Sequence, residues 1–367
     1  MKKIIMNYMK KILACCITTT IIFSSSCKKE ENITTSTPLN TPAIERVYYV
    51  AAEEVEWNYV PTGINQVTGG AFGSTENVFL KNDTNRIGNK NIKAVYIEYT
   101  DATFSTPKPK ESADMGILGP VIRAEVGDKI KVIFKNKAKF PFSIHPHGVV
   151  YDSDNEGIMG VNPGETFTYN WTATENSGPA SADGSSIGWV YHSHVMEHDT
   201  KDINAGLVGA IVIYKKGFLV DSKAKDVDKE KFSLFMIMDE NNSLYLDTNK
   251  VTYTLNNEDN DDPDFQESNL KHSINGLMYG NCKYTGISKG NKVRWYVLDL
   301  GNELDNHTAH WHGNTVTYLN SHTDVVFLGP ANLITADMKA DNPGTWQFHC
   351  HVNDHISAGM IAMYEVQ

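Results

Sequence analysis

Residues 346–360 read WQFHCHVNDHISAGM, so Cys350 stands between His349 and His351, and His355 and Met360 follow. Thiolate, imidazole and thioether are soft or borderline donors, a set that favours copper over hard cations. His307 lies upstream, three residues before the pair His310/His312. One thiolate, two imidazoles and a weak thioether hold copper between the preferences of its two oxidation states, which suits rapid electron transfer. A zinc site has no use for the methionine. Eight of the 13 histidines fall into His-X-His pairs: His145/His147, His192/His194, His310/His312 and His349/His351. Residues i and i+2 of a strand share a face, so each pair presents two imidazoles to one side. Four such pairs are poorly explained as structural filling.

The elements that must position these residues are strands. Short β-branched and aromatic runs (VYYVAAEEVEW, AVYIEYT, DKIKVIF, TFTYNWT, GAIVIY, FSLFMIM, KVRWYVL, TVTYLN, MIAMYEV) recur between turn signals, which predicts antiparallel β-sandwiches and no long amphipathic helix. An internal repeat is visible. EVGDKIKVIFKNKAKFPFSIHPHG parallels SKGNKVRWYVLDLGNELDNHTAHWHG, and GWVYHSHVMEHDTKDINAGLVGAIVIY parallels GTWQFHCHVNDHISAGMIAMYEV. A Lys/Asp-rich stretch near 215–231 separates the copies, giving a first domain at 46–216 and a second at 231–367. The first copy keeps its His-X-His pairs but not the thiolate site. Phe142 stands where His307 stands, Ser193 replaces Cys350, and Leu207 replaces Met360. Only His198 keeps its place, and it reads as a surface or supporting residue rather than a ligand.

Formal charge of −11 argues against nucleic-acid binding and tolerates small cations. Residues 1–26 have a lysine-bearing start, an apolar stretch from Ile12 to Phe23 and small residues before Cys27, the layout of an export signal. The apolar run is too short to span a bilayer comfortably. Its ending resembles a bacterial lipoprotein signal, which implies cleavage before Cys27, lipidation of that thiol and anchoring to a membrane of the cell envelope. Residues 27–45, polar and rich in Thr and Pro, read as a flexible tether. Cys282 reads as a buried small apolar residue.

HPHG, YHSH, HTAHWH and HCHVNDHISAGM together resemble the motifs of the multicopper oxidases. YYVAAEEVEWNYVPTG, LGPVIRAEVGD, DENNSLYLD and HSINGLMYGN are similar to a ceruloplasmin or hephaestin domain pair. The resemblance implies an all-β chain of two tandem cupredoxin-like Greek-key β-sandwich domains. It assigns the type 1 copper to His307, Cys350, His355 and Met360. His145 and His310 are assigned the type 2 copper. His147, His192, His194, His312, His349 and His351 are assigned the type 3 pair. Each domain supplies two of the four pairs, so the implied cluster needs a first-domain edge against a second-domain edge. In the ceruloplasmin arrangement six such domains close a ring, and three chains of two domains each supply six, so the resemblance predicts a homotrimer with one trinuclear copper cluster at each subunit interface.

The implied reaction reduces O2 to water with electrons taken singly from a reductant. In ceruloplasmin-type enzymes the Glu and His of the motif seen here as QESNLKH bind ferrous iron, which points to Glu267 and His272, and the resemblance adds Asp354, next to His355, and more loosely Glu303, four residues before His307. Carboxylate oxygens suit Fe(II) and favour Fe(III) still more. The expected activity is therefore that of a ferroxidase. The alternatives are a laccase-like oxidase of phenols or Cu(I), a copper nitrite reductase, and a non-catalytic blue-copper electron carrier. Asp152 and Asp154, just after HPHG, are candidate proton donors.

Overall fold

The computed structural model describes residues 43–198, 200–254, 260–301 and 306–367. The signal, Cys27, most of the tether and Glu303 lie outside these described residues. From Asn40 onward the chain forms one compact unit.

Alternating side chains build the sheets. In the strand Lys129–Asn136 (KIKVIFKN), Ile130, Val132 and Phe134 are buried while the lysines turn outward. This strand lies third in a four-stranded sheet of order Lys90–Tyr99, Glu45–Asn58, Lys129–Asn136, Thr166–Thr172. The facing sheet runs Ile122–Glu125, Val208–Tyr214, Ser186–His192, His145–Pro146.

The second half repeats both orders and extends them. Its larger sheet runs Leu270–Ile274, Lys229–Asp239, Lys292–Asp299, Leu333–Lys339, then Val316–Tyr318 and Ser321–Thr323. The other runs Lys283–Ile287, Ile361–Val366, Gly344–Cys350, His307–Trp311, Val325–Leu328. The first strand of this half starts at Lys229, two residues ahead of the boundary read from sequence.

The sandwiches are not purely antiparallel. Each sheet holds one parallel pair, such as Glu45–Asn58 with Lys129–Asn136 and Lys229–Asp239 with Lys292–Asp299. The chain between such partners crosses through other strands, so the pairing is non-local and local alternation cannot reveal it.

Each half encloses its own core, with Phe142, Tyr191 and Leu207 in the first and Trp295, Trp311, Phe348 and Cys350 in the second. A third apolar cluster draws on both halves, joining Val190, Val212 and Tyr214 to Phe232, Met278, Tyr296 and Ala358. Across the same boundary, buried Arg294 donates to Ser185 Oγ at 2.6 Å and Ser186 Oγ at 2.7 Å while pairing with Asp337. Halves joined this way bury apolar surface against each other.

Candidate metal centre

Strand register decides what the histidines do. His310 lies directly opposite His349, and Ala309 opposite Cys350. Opposed residues of an antiparallel pair point to the same face and neighbours to opposite faces. His310, His312, His349 and His351 therefore share one face, while His307, Ala309 and Cys350 share the other. The first half uses the same register, with His145 opposite His192.

On the core face the donors of one group converge. Cys350 Sγ lies 3.7 Å from His307 Nδ1 and 3.6 Å from His355 Nδ1, and the two ring nitrogens are 3.0 Å apart. His307 and Cys350 are fully buried and His355 nearly so. His355 sits on the short helix Asn353–Ser357. Met360 is fully buried, and its backbone is tied to both ends of the loop: its N–H donates to His355 O at 3.0 Å and its carbonyl accepts from Cys350 N at 3.1 Å. Buried Asp299 lies on the far side of His307 from the sulfur, with Oδ1 3.8 Å from Nε2. Val352 N–H points at Cys350 Sγ at 3.5 Å. Burial pushes the Cys350 thiol up, so a bare thiolate is costly here and a cation is the natural counterpart. Three buried donors aimed at one another, with a methionine closing the loop, fit copper.

On the outer face the imidazoles form two matching sets. His349 Nε2 lies 2.9 Å from His312 Nε2 and 3.2 Å from His310 Nδ1, and the His351 ring is 5.3 Å from that of His310. In the first half His147 Nε2 and His192 Nε2 are 3.2 Å apart, and the His145 ring is 5.2 Å from that of His194. Backbone carbonyls hold several rings. Nδ1 of His145 meets Glu156 O at 2.7 Å, Nδ1 of His192 meets Ser193 O at 2.8 Å, and Nδ1 of His349 meets Cys350 O at 2.7 Å. A carbonyl can only accept, so each Nδ1 carries the proton and each Nε2 keeps its lone pair for a metal. Burial, with neighbouring imidazoles adding to it, holds His147 and His349 down at about 4 and His192 at about 3. Burial also lowers His145, His310 and His312. Neutral rings are what a copper cluster needs. Among the described residues, the ring contacts of each set stay within its own half.

The glycine of each HXHG motif has a steric cause. Gly148 (φ +71°) and Gly313 (φ +73°) lie against the rings of Trp189 and Trp346, and a Cβ would fall 2.0 Å and 2.4 Å from them. No side chain fits there, and the positive φ disfavours one as well.

In the first half Phe142 and Leu207 fill the room taken by metal ligands in the second, and Ser193 Oγ accepts from Ser143 N at 3.0 Å. His198 is half-buried, its ring 6.3 Å from Phe142, and its Nδ1 is enclosed without a hydrogen bond. Its place in the fold survives although its partners have changed.

The iron-site residues are only partly gathered. His272 is buried against His355, ring centroids 5.2 Å apart, and burial together with His355 and His307 holds it down at about 3. Asp354 is exposed on the same short helix as His355. Glu267 is exposed on the helix Pro263–Ser268, at a depression it shares with Asp239 and Asp261. The donor groups that close to within 4.8 Å among the described residues are His307/Cys350/His355 and His310/His312/His349, and neither includes these three. Asp152 caps the turn Ser153–Asn155, accepting from Asn155 N, so its carboxylate has a structural task. Cys282 is a free, fully buried thiol. Sequence reasoning missed Asp299, the carbonyl locks, and Asp324, whose Oδ2 lies 3.7 Å from His310 Nε2. No motif marks them.

Family models described as multicopper oxidase match residues 97–217 and 247–367. The chain belongs to the multicopper oxidase family. It is 40% identical to mouse ferroxidase HEPHL1 over 343 residues, covering 88% of this chain and 29% of that protein. It is 42% identical to human ceruloplasmin over 346 residues, covering 88% of this chain and 32% of that one. The chain thus spans about a third of the length of the curated relatives it matches. The crystal structure of a blue copper oxidase from Nitrosomonas europaea shares the fold, with a TM-score of 0.55 at 18% identity, covering 88% of this chain and 86% of that one. A multicopper oxidase chain implies copper, and the donors described above fit it.

Proposed function

We propose that this protein is a ferroxidase that couples oxidation of Fe(II) to reduction of O2. Four Fe(II) give up one electron each and become Fe(III), and one O2 takes these with four protons to give two waters. Bound copper supplies the one-electron relay at the Cys350 site and the O2-binding Lewis acid at the histidine cluster. The observation that carries the reading is the single strand ending in His349–Cys350. It offers a buried sulfur to one face and an imidazole to the other, joined by one peptide link and by the Nδ1–H···O=C bond at 2.7 Å. With copper held by Cys350, the backbone on either side of it would link that site directly to His349 and His351.

Iron as donor is supported by the ring contact of His272 with His355, by exposed carboxylates at Glu267 and Asp354, and by ferroxidase in a relative's name. Glu303 joins them in this reading. Turnover of Fe(II) and of a phenol is to be compared in wild type and in Glu267→Ala/His272→Ala. Iron turnover is expected to fall by at least about tenfold with phenol turnover retained. Unchanged iron turnover refutes the iron site.

The histidine sets support a homotrimer in which the first half of one chain meets the second half of the next. Each set leaves one ring exposed, His194 or His351. Apolar side chains stand exposed nearby: Val150, Met159 and Met196 in the first half, and Phe327 on the histidine-bearing face of the second. Light scattering of Phe327→Asp should show single chains with the type 1 colour kept and O2 reduction lost. A trimer unmoved by this change, or an active monomer, defeats the assembly. The full complement is one type 1, one type 2 and two type 3 coppers per chain. Export and a lipid anchor at Cys27 complete the reading, and mass spectrometry of the amino-terminal peptide tests them.

A further inference from the structure

The edge of the Cys350 site formed by His272 and His355 is covered from the other half of the chain. The short helix Glu76–Leu80 belongs to the first half, and Phe79 on it packs edge-on against His272, centroids 5.8 Å apart at 70°. His272 in turn touches His355. Phe79 also joins the apolar cluster that includes Met278, Tyr279 and Ala358, the last lying in the loop between His355 and Met360. Exposure along this edge is 6% for Phe79, 7% for His272 and 8% for His355. Lys271, next to His272 and fully buried, donates to Phe79 O and to Ser268 O, both at 2.6 Å. One ammonium thus ties the strand of His272, the helix carrying Phe79 and the end of the helix carrying Glu267.

We infer that Phe79 is a specificity-determining residue: it walls off His272 and His355 from planar organic reductants, leaving a donor small enough to be held by exposed carboxylate oxygens. The inference rests on the ferroxidase reading for the favoured donor, but the wall itself stands on packing alone. A phenol must bring its ring within contact of a covered imidazole to lose one electron and its hydroxyl proton. A metal ion at the carboxylates transfers its electron through His272 without entering. Lys271 acts through position, fixing the carbonyl of Phe79.

The test uses the full-length, copper-loaded protein with Phe79→Ala and the milder Phe79→Leu, the thiolate–copper absorption serving as the folding check. The ratio of kcat/KM for 2,6-dimethoxyphenol to that for Fe(II) is expected to rise about tenfold, since opening an apolar site by a few methylene-sized steps changes selectivity on that scale. Iron turnover itself stays within about threefold. A second measurement uses the copper-free protein, where carbethoxylation of His272, followed by peptide mass spectrometry, should speed up about tenfold in the same variants. Unchanged phenol turnover and labelling in Phe79→Leu overturn the wall, as does a parallel loss of both substrates. If Phe79→Ala fails to fold, Phe79→Leu and the labelling still decide. A wild type that oxidises phenols but not Fe(II) overturns the ferroxidase reading instead, while labelling continues to report on the wall.

Discussion

His192–Ser193–His194 and His349–Cys350–His351 lie at the same register of two matching sheets, and one of them holds a thiolate where the other holds a hydroxyl. The outer faces have stayed alike: in each half two rings are half-buried, one is buried and one is exposed. The inner faces have parted. Where the second half gathers His307, Cys350, His355 and Met360, the first packs Phe142, Ser193 and Leu207 into its core. A strand alternates between faces, so one face can lose its chemistry while the other is retained. In the proposed enzyme the oxygen chemistry draws on the outer faces of both halves, whereas the electron entry point lies in one.

The strongest way to break the comparison is to make the second half like the first. Cys350→Ser leaves His-Ser-His in both sheets, and the blue absorption and all turnover should fall to background. Assembly should persist, because the outer histidine face is untouched. Optical spectra with light scattering check this, and residual blue colour would contradict the ligand assignment.

The reverse change sharpens it. Ser193→Cys with Phe142→His and Leu207→Met gives the first half a thiolate, an imidazole and a thioether beside His198. Such a variant should bind one further copper per chain and gain thiolate–copper absorption. Before metal is added it should be less stable by about 2–3 kcal/mol, because polar atoms replace buried apolar ones. Urea unfolding with and without copper measures the difference; a variant that binds no additional metal shows that ligand identity alone does not make the site.

The smallest effect concerns what the halves share. In the copper-free protein His147, His192 and His349 are held near 3–4 by burial, against about 6.5 in an unfolded chain. Between those values the unfolded chain takes up protons that the folded one refuses. Stability present above about pH 6.5 is therefore lost progressively as the pH falls toward about 4, at up to about 1.4 kcal/mol per unit for each such ring. Denaturant midpoints at pH 7.5 and pH 5 check the sign. A midpoint that rises on acidification would show these rings to be charged in the folded protein.

Much of this was legible because the chemistry is local in sequence. His-X-His pairs, the CHxxxHxxxxM run and the substitutions at Phe142, Ser193 and Leu207 can be read within short windows. The repeat likewise foretold two sandwiches of matching order. The rest depends on contacts between distant residues or on backbone groups. Phe79 meets a histidine more than 190 positions away, and the carbonyls of Glu156, Ser193 and Cys350 carry no side-chain signature at all. Parallel pairing escaped for the same reason. The exposed placement of Glu267 and Asp354 also needed the structure, because acidic residues beside a motif look alike whether or not they converge.

The dipeptide step at His349–Cys350 works as a ruler with a single graduation. Side-chain substitution can retune how readily the sulfur gives up charge, but no substitution can lengthen the covalent gap to the ring beside it. Inserting or deleting one amino acid ahead of this step, within Gly344–Cys350, would turn His349 and Cys350 to the wrong sides of the sheet. Selection can therefore adjust driving force at this junction freely, while distance is locked by the geometry of the polypeptide itself.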